Sequence, residues 1–250
     1  MLDPTRRFSN RVQTYLKYRP SYPPAILPLL ESECGLTPDS VIAEPGSGTG
    51  LLTKLFLKNG NRVFGVEPNA EMREAGEQEL VDYPKFSSID ATAEATTLAD
   101  HSVDMVVAGQ AFHWFDRANA RAEFSRILKP DGWVVLIWNG FRSEASPLMA
   151  AYHELILLHG TDYVEVRREL DHREIESFFA GGSCRIVNFN FQQTFDYQGF
   201  EGRLLSSSFV PEPGHPNYEP MLRDLRTIFD SHQKDGTVAF EYETEVYYGR

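Results

Sequence analysis

Two features of this 250-residue chain could do chemistry together: a turn rich in glycine and an acid that follows it. Glu44-Pro45-Gly46-Ser47-Gly48-Thr49-Gly50 places glycines at alternate positions. Glycine lets the backbone bend sharply and lets a ligand approach with no Cβ in the way. Glu67 follows 17 residues after Gly50, at the end of the next apolar run. A carboxylate there can accept hydrogen bonds from both hydroxyls of a ribose. Turn and acid, in that order on consecutive strands, point to a nucleoside-bearing ligand. A nicotinamide fingerprint, G-x-G-x-x-G, would need its third glycine at position 51, where the chain has Leu51. The plain alternative is a structural turn and a surface glutamate.

The elements that must position these residues alternate. Val41-Ile42-Ala43 is a short strand ahead of the turn, and Leu51, Leu52, Leu55 and Phe56 recur at helical spacing up to Gly60. Arg62–Val66 reads as a second strand, and Asn69 as the N-cap of a helix to about Leu80. Phe86–Ile89 and Val103–Ala108 are two further strands, and residues 117–128 an amphipathic helix stopped by Lys129-Pro130-Asp131-Gly132. Trp133–Trp138 is apolar throughout, as a strand buried on both faces would be. This alternation predicts an α/β fold with a Rossmann-like, mostly parallel seven-stranded sheet and helices on both faces. Ligands then bind beyond the carboxyl ends of the strands.

Outside that stretch the rhythm is lost. Proline and aromatic residues crowd positions 15–28, which read as an N-terminal arm. Residues 145–159, 172–180 and 218–233 look helical, and Arg185–Phe195 looks like a strand. From Val238 to Tyr248 apolar residues alternate with Glu241, Glu243 and Glu245, the pattern of a half-exposed, antiparallel last strand. The division expected is an arm or lid over 1–40, a cofactor-binding core over 41–140, and over 141–250 a helical cover with strands that complete the sheet, all within one structural domain.

Composition narrows the function. The 24 basic residues against 36 acidic ones give a net charge of −12, which disfavours broad contact with a phosphate backbone and hence a nucleic-acid partner. No apolar run approaches the ~20 residues of a membrane span, and the first residues lack an apolar signal core, so neither membrane nor secretion is expected. Cys34 and Cys184 form no C-x-x-C pair, so no metal site or disulfide framework is expected, and a reducing cytoplasm is the default.

Residues 41–138 resemble the core of class I S-adenosylmethionine-dependent methyltransferases of the type 11 group. Ala93-Glu94-Ala95-Thr96-Thr97-Leu98-Ala99-Asp100-His101-Ser102-Val103-Asp104 is similar to the family's A-E-x-L-P-F-x-D-x-S-F-D block, and Arg126–Gly132 to its R-V-L-K-P-G-G turn. The resemblance implies S-adenosylmethionine as cofactor and S-adenosylhomocysteine as its product. It implies that Gly46, Ser47, Gly48 and Gly50 line the methionine and ribose and that Glu67 holds the ribose. Pro68 and Met72 would pack on the adenine, with Ala93 offering its N–H to the adenine edge. Glu44 would act behind the loop to orient it. The family often has Asp just before that alanine; this chain has Thr92, and Asp90 is either a substitute or an ordinary strand-end acid.

The stretch Gly109-Gln110-Ala111-Phe112-His113-Trp114-Phe115 follows the fourth strand, where the transferred methyl is expected. It lacks the N/D-P-P-Y tetrapeptide of methyltransferases that act on planar amino groups. Gln110 is assigned to the polar end of the cofactor, and His113 and Trp114 to the acceptor, with plain core packing the alternative for Trp114 and Phe115. An aromatic face beside a sulfonium is favourable by ~0.5–2 kcal/mol. His113 is either a base, needed only when the acceptor carries a proton at neutral pH, or a pocket-shaping histidine. Phe8, Tyr15, Arg19-Pro20, Tyr22-Pro23, Phe112-His113-Trp114 and Tyr242–Gly249 resemble a subgroup related to trans-aconitate methyltransferases, whose members methylate small acids. That resemblance implies an arm folded over the cofactor with Tyr15, Arg19 and Tyr22 facing the site. Arg142, Arg203 and Ser206-Ser207-Ser208 could bind an anionic acceptor, be solvated or cap a helix. The expected function is methyl transfer from S-adenosylmethionine to a small molecule, through a carboxylate or other oxygen nucleophile. The alternatives are a nicotinamide-dependent oxidoreductase and a cofactor-binding module without catalysis.

Overall fold

A computed structural model describes residues 16–163, 172–179 and 184–250. Its sheet is built around β1 (Val41–Pro45), whose short apolar run is flanked on one side by β2 (Arg62–Val66) and on the other by β4 (Val103–Gly109). With β3 (Phe86–Ile89), β5 (Leu128–Phe141), β6 (Arg185–Phe195) and β7 (Val238–Gly249), the order is β3-β2-β1-β4-β5-β7-β6. β7 runs antiparallel to both of its neighbours, and the other pairings are parallel. The seven-stranded, mostly parallel sheet expected from the sequence is therefore present. The order reverses at β1 and β4, which opens a crevice beyond their carboxyl ends.

Burial on both faces follows from the strand alternation. Ile42, Met105, Val107, Val135 and Ile137 enter one cluster with α1 (Ile26–Cys34) and α2 (Thr53–Lys58). Ala43, Val106, Ala108, Val134 and Leu136 enter the other with α4 (Arg117–Ile127) and α6 (His172–Phe178). Helix starts use short polar side chains: Asn69 accepts from the Met72 N–H at 2.9 Å to open α3 (Ala70–Glu79), and Asp116 accepts from Asn119 at 3.1 Å to open α4. A third cluster joins α5 (Pro147–His159), α7 (Tyr197–Leu205) and α8 (Tyr218–His232) to Val238, Phe240 and Tyr242 of β7.

The structure corrects the sequence reading in three places. Lys129–Gly132 does not separate helix from strand: α4 ends at Ile127, and the four residues are an excursion inside β5, where the register jumps from Val103↔Leu128 to Met105↔Trp133. β7 is half-exposed only in its first half; Val246, Tyr247 and Tyr248 are buried because helices cover both faces there. Part of the N-terminal region is core: Ile26 and Leu30 are fully buried on α1. Among the described residues no helix is long and apolar enough to cross a membrane.

Candidate active site

The glycine turn after β1 is tied to the tip of β2. The N–H groups of Gly46 and Ser47 donate to the Val66 carbonyl, at 2.8 and 3.3 Å. Gly46, Gly48 and Gly50 all have positive φ, +70°, +55° and +79°, conformations that side-chain-bearing residues rarely adopt. A Cβ on Gly46 would come within 2.4 Å of Ala111, and one on Gly48 within 3.3 Å of Met72. The third glycine has a different reason: a Cβ on Gly50 would strike Leu80 at 2.6 Å, so it makes room for the core and not for a ligand.

Glu67 closes this turn from the β2 side. Its carboxylate accepts from the Gly48 N–H and the Asn69 N–H, each at 2.9 Å. A carboxylate has about four acceptor positions, so two remain for a pair of ribose hydroxyls. Burial raises its pKa against the pull of those two N–H groups. Behind the turn, Glu44 is buried and accepts from Thr53 Oγ1 at 2.6 Å. Burial, with some repulsion from Glu67, pushes its pKa up to about 8.

These groups open into a cavity of about 360 Å³ that crosses the carboxyl ends of the strands. Its first half is lined by Gly46, Gly48, Glu67, Pro68, Met72, Thr92 and Ala93. Asp90, in contrast, is exposed and pairs with Arg73 at 3.0 Å. Sequence reasoning missed Glu94, which lines the cavity and fixes the loop before α4 by accepting from the Asp116 N–H at 2.8 Å. It also missed Asn139, at the end of β5, whose carbonyl accepts from Gln110 Nε2 at 2.6 Å. Gln110 sits at φ +57°, a strained conformation for a residue with a side chain, at the tip of β4.

The second half of the cavity collects the catalytic candidates. His113 and Trp114 lie side by side with ring centroids 4.4 Å apart, and both line it with Phe115. Arg19 reaches it from the N-terminal segment and is anchored by donating to the Ser206 carbonyl from Nε at 3.2 Å and Nη2 at 3.0 Å. Arg203 also lines it, only 5% exposed, with Nε donating to the Tyr242 hydroxyl at 2.9 Å and Nη1 to Ser207 Oγ at 3.1 Å. Ser207 and Ser208 complete that end. Arg142 is exposed and does not line it. Four assigned residues do not line the cavity: Tyr22 packs in the core beside Gly109, Ser47 lies over Gly65, Gly50 packs on Leu80, and Glu44 lies behind the turn as expected of it. Tyr15 and Phe8 fall outside the described residues.

Residues 43–136 match the family described as a methyltransferase domain. Over this stretch the chain is similar to a methyltransferase domain. An uncharacterized methyltransferase of Schizosaccharomyces pombe is 34% identical over 155 residues, 60% of this chain and 59% of that relative. The chain thus matches about three-fifths of the relative's own length. A structure from Anaeromyxobacter dehalogenans named as a type II methyltransferase superposes with a TM-score of 0.70 at 20% identity, covering 93% of this chain and 98% of the other. A phosphoethanolamine N-methyltransferase of Haemonchus contortus, in complex with phosphomonomethylethanolamine and S-adenosylhomocysteine, gives a TM-score of 0.57 at 14% identity over 99% of this chain and 58% of that one. The matched stretch runs from within β1 to the middle of β5, the strands that carry the glycine turn, Glu67 and Gln110.

Proposed function

We propose that this protein transfers a methyl group from S-adenosylmethionine to a small-molecule acceptor through a carboxylate or other oxygen nucleophile. The observation that carries this reading is one cavity whose lining runs from the turn held by Glu67 to the guanidinium groups of Arg19 and Arg203. The residues present fit the cofactor: a cradle that side chains at positions 46 and 48 would fill, and a carboxylate with two acceptor positions left over. Gly46 and Gly48 would face its methionine and ribose, Glu67 its ribose hydroxyls, Pro68 and Met72 its adenine, with Thr92 and Ala93 at the adenine edge. When bound, S-adenosylmethionine supplies an activated methyl on a positively charged sulfur.

What remains for the protein is placement. A carboxylate acceptor is already ionised at neutral pH, since its pKa is ~4. It needs no base, and His113 then serves as wall and orienter; an alcohol acceptor would need His113 to take its proton. Arg19 and Arg203 hold an anionic group, and Trp114 and Phe115 keep water from the reacting atoms. Alignment of nucleophile and methyl can supply ~7–11 kcal/mol of the barrier reduction. The guanidinium groups also discourage cationic acceptors.

The test is calorimetry with S-adenosylmethionine, S-adenosylhomocysteine and NAD, followed by labelled-methyl transfer to a panel of small acids. Binding of the first two and not of NAD is expected. Glu67→Ala should weaken S-adenosylhomocysteine by ~1.5–3 kcal/mol, the worth of a charged hydrogen bond. A preference for NAD, or unchanged affinity in that variant, contradicts the assignment. Tight cofactor binding with no turnover of any acceptor favours a binding module.

A further inference from the structure

The acceptor half of the cavity has a division of its own. β5 lies three strand positions from β2, about 14 Å across the sheet, so Phe141 and its neighbours stand well clear of the ribose site at Glu67. There the wall is aromatic and prebuilt. Phe141 and Tyr163 are stacked at 21° with centroids 6.4 Å apart, and Tyr163 meets Phe209 at 4.9 Å. All three line the cavity, and Phe141 is backed at 5.5 Å by the buried ring of Tyr152.

Among the described residues, the guanidinium groups that line this end are those of Arg19 and Arg203. Arg203 is held by Tyr242 and Ser207 and lies over the Phe240 and Tyr242 rings, 5.3 and 5.6 Å from their centroids. Arg19 is held by the carbonyl of Ser206, whose side chain is 3.5 Å from Arg203 Nη1. Both guanidinium groups are therefore fixed about the same turn, Ser206-Ser207. The buried Tyr152 hydroxyl, which finds no hydrogen-bond partner among the described residues, feels the field of both. One anionic group fits there. Among the described residues that line the cavity, a second carboxylate on the same molecule would face aromatic rings, with His153 packed behind Phe141 and Tyr163 and not in the wall; an unpaired charge there is costly.

We infer that the acceptor is a monocarboxylic acid on a flat or apolar body, its carboxylate at Arg19 and Arg203 and its body against Phe141, Tyr163 and Phe209. This rests on the methyltransferase reading above. It sets the expected substrate apart from the hydrophilic polyacids that resemblance to trans-aconitate methyltransferases would suggest.

The test compares kcat/KM for cinnamate, phenylacetate and octanoate with that for succinate and trans-aconitate, and with the alcohols and amines of the same apolar bodies. The apolar monoacids should exceed the polyacids by at least tenfold. Phe209→Ala should raise KM for the apolar acids about tenfold and leave S-adenosylhomocysteine affinity unchanged. Phe209→Leu, which keeps an apolar side chain there, should restore most of the loss. Preference for succinate or trans-aconitate overturns the inference and leaves the methyltransferase reading standing, as does a Phe209→Ala effect equal on both acid classes. Preference for the amine or alcohol overturns it together with the carboxylate assignment. If no acid turns over, binding of the apolar acids to the S-adenosylhomocysteine complex decides: saturable binding lost in Phe209→Ala supports the inference, and no binding overturns it. Failure to bind S-adenosylmethionine at all removes both readings.

Discussion

Glu44 and Glu67 show how one residue type takes two tasks within one loop. Glu67 presents its carboxylate to the cavity, whereas Glu44 lies beneath and grips Thr53. Burial lifts the Glu44 carboxyl from an ordinary 4.5 to about 8, which reverses the usual sign for an acid. Between those values the folded protein binds a proton that the unfolded chain releases, so this contribution to stability is full below the unfolded pKa and is lost as pH rises through 8. Glu44→Gln carries no titrating proton and keeps an acceptor for the Thr53 hydroxyl. Urea midpoints should therefore show the wild type losing ground to the variant as pH goes from about 5 to about 8. A difference between the two that stays constant over that range would falsify the buried-proton account.

Among elements, α7 explains both a hidden helix and the seating of the N-terminal segment. A Cβ on Gly202 would meet the Tyr18 ring at 2.2–2.5 Å, so this helix leaves a notch for the residue just before Arg19. Gly202→Ala raises helix propensity but forces Tyr18 aside, and overpacking of this kind costs ~1–3 kcal/mol. The expected result is a lower melting temperature and weaker turnover, because Arg19 loses its place beside Ser206, with cofactor affinity nearly kept. Unchanged turnover would mean that the segment does not depend on the notch. The same facts show what could be read beforehand. β1 to β5 and the glycine turn were legible because parallel strands buried on both faces leave long apolar runs, and because positive φ favours glycine. α7 was not, since Gly199 and Gly202 read as loop until their neighbours are known. α1 was hidden by Pro23, Pro24 and Pro28, although proline near a helix start is compatible with the helix. At the site, Glu67 stood out by its place after the glycine turn and His113 by its place after the fourth strand, and both line the cavity. Arg203 was only one of several candidates and Asn139 none, because their roles come from pairings between segments distant in sequence.

For the whole molecule, the decisive strand is the last. β7 contributes Val246 and Tyr248 to one face of the sheet, Tyr247 to the other, and Val238, Phe240 and Tyr242 to the cover. Its residues 242–249 pair with 134–141 of β5, so the stretch that matches the methyltransferase family is completed by the most distant part of the chain. The cover is then no appendage: removing its packing on β7 also loosens the strand beside β5. The tryptophans, Trp114, Trp133 and Trp138, all lie in the first part of the chain and report the core, whereas far-UV circular dichroism also reports α5, α7 and α8. Both probes should follow one urea transition with a shared midpoint. Phe240→Ala, at a fully buried position in the cover cluster, should lower both midpoints together, by ~3–5 kcal/mol in stability. If the tryptophan transition stayed in place while the dichroism amplitude was lost earlier, cover and core would be independent units, and the acceptor end of the cavity could open without disturbing the sheet that holds Glu67.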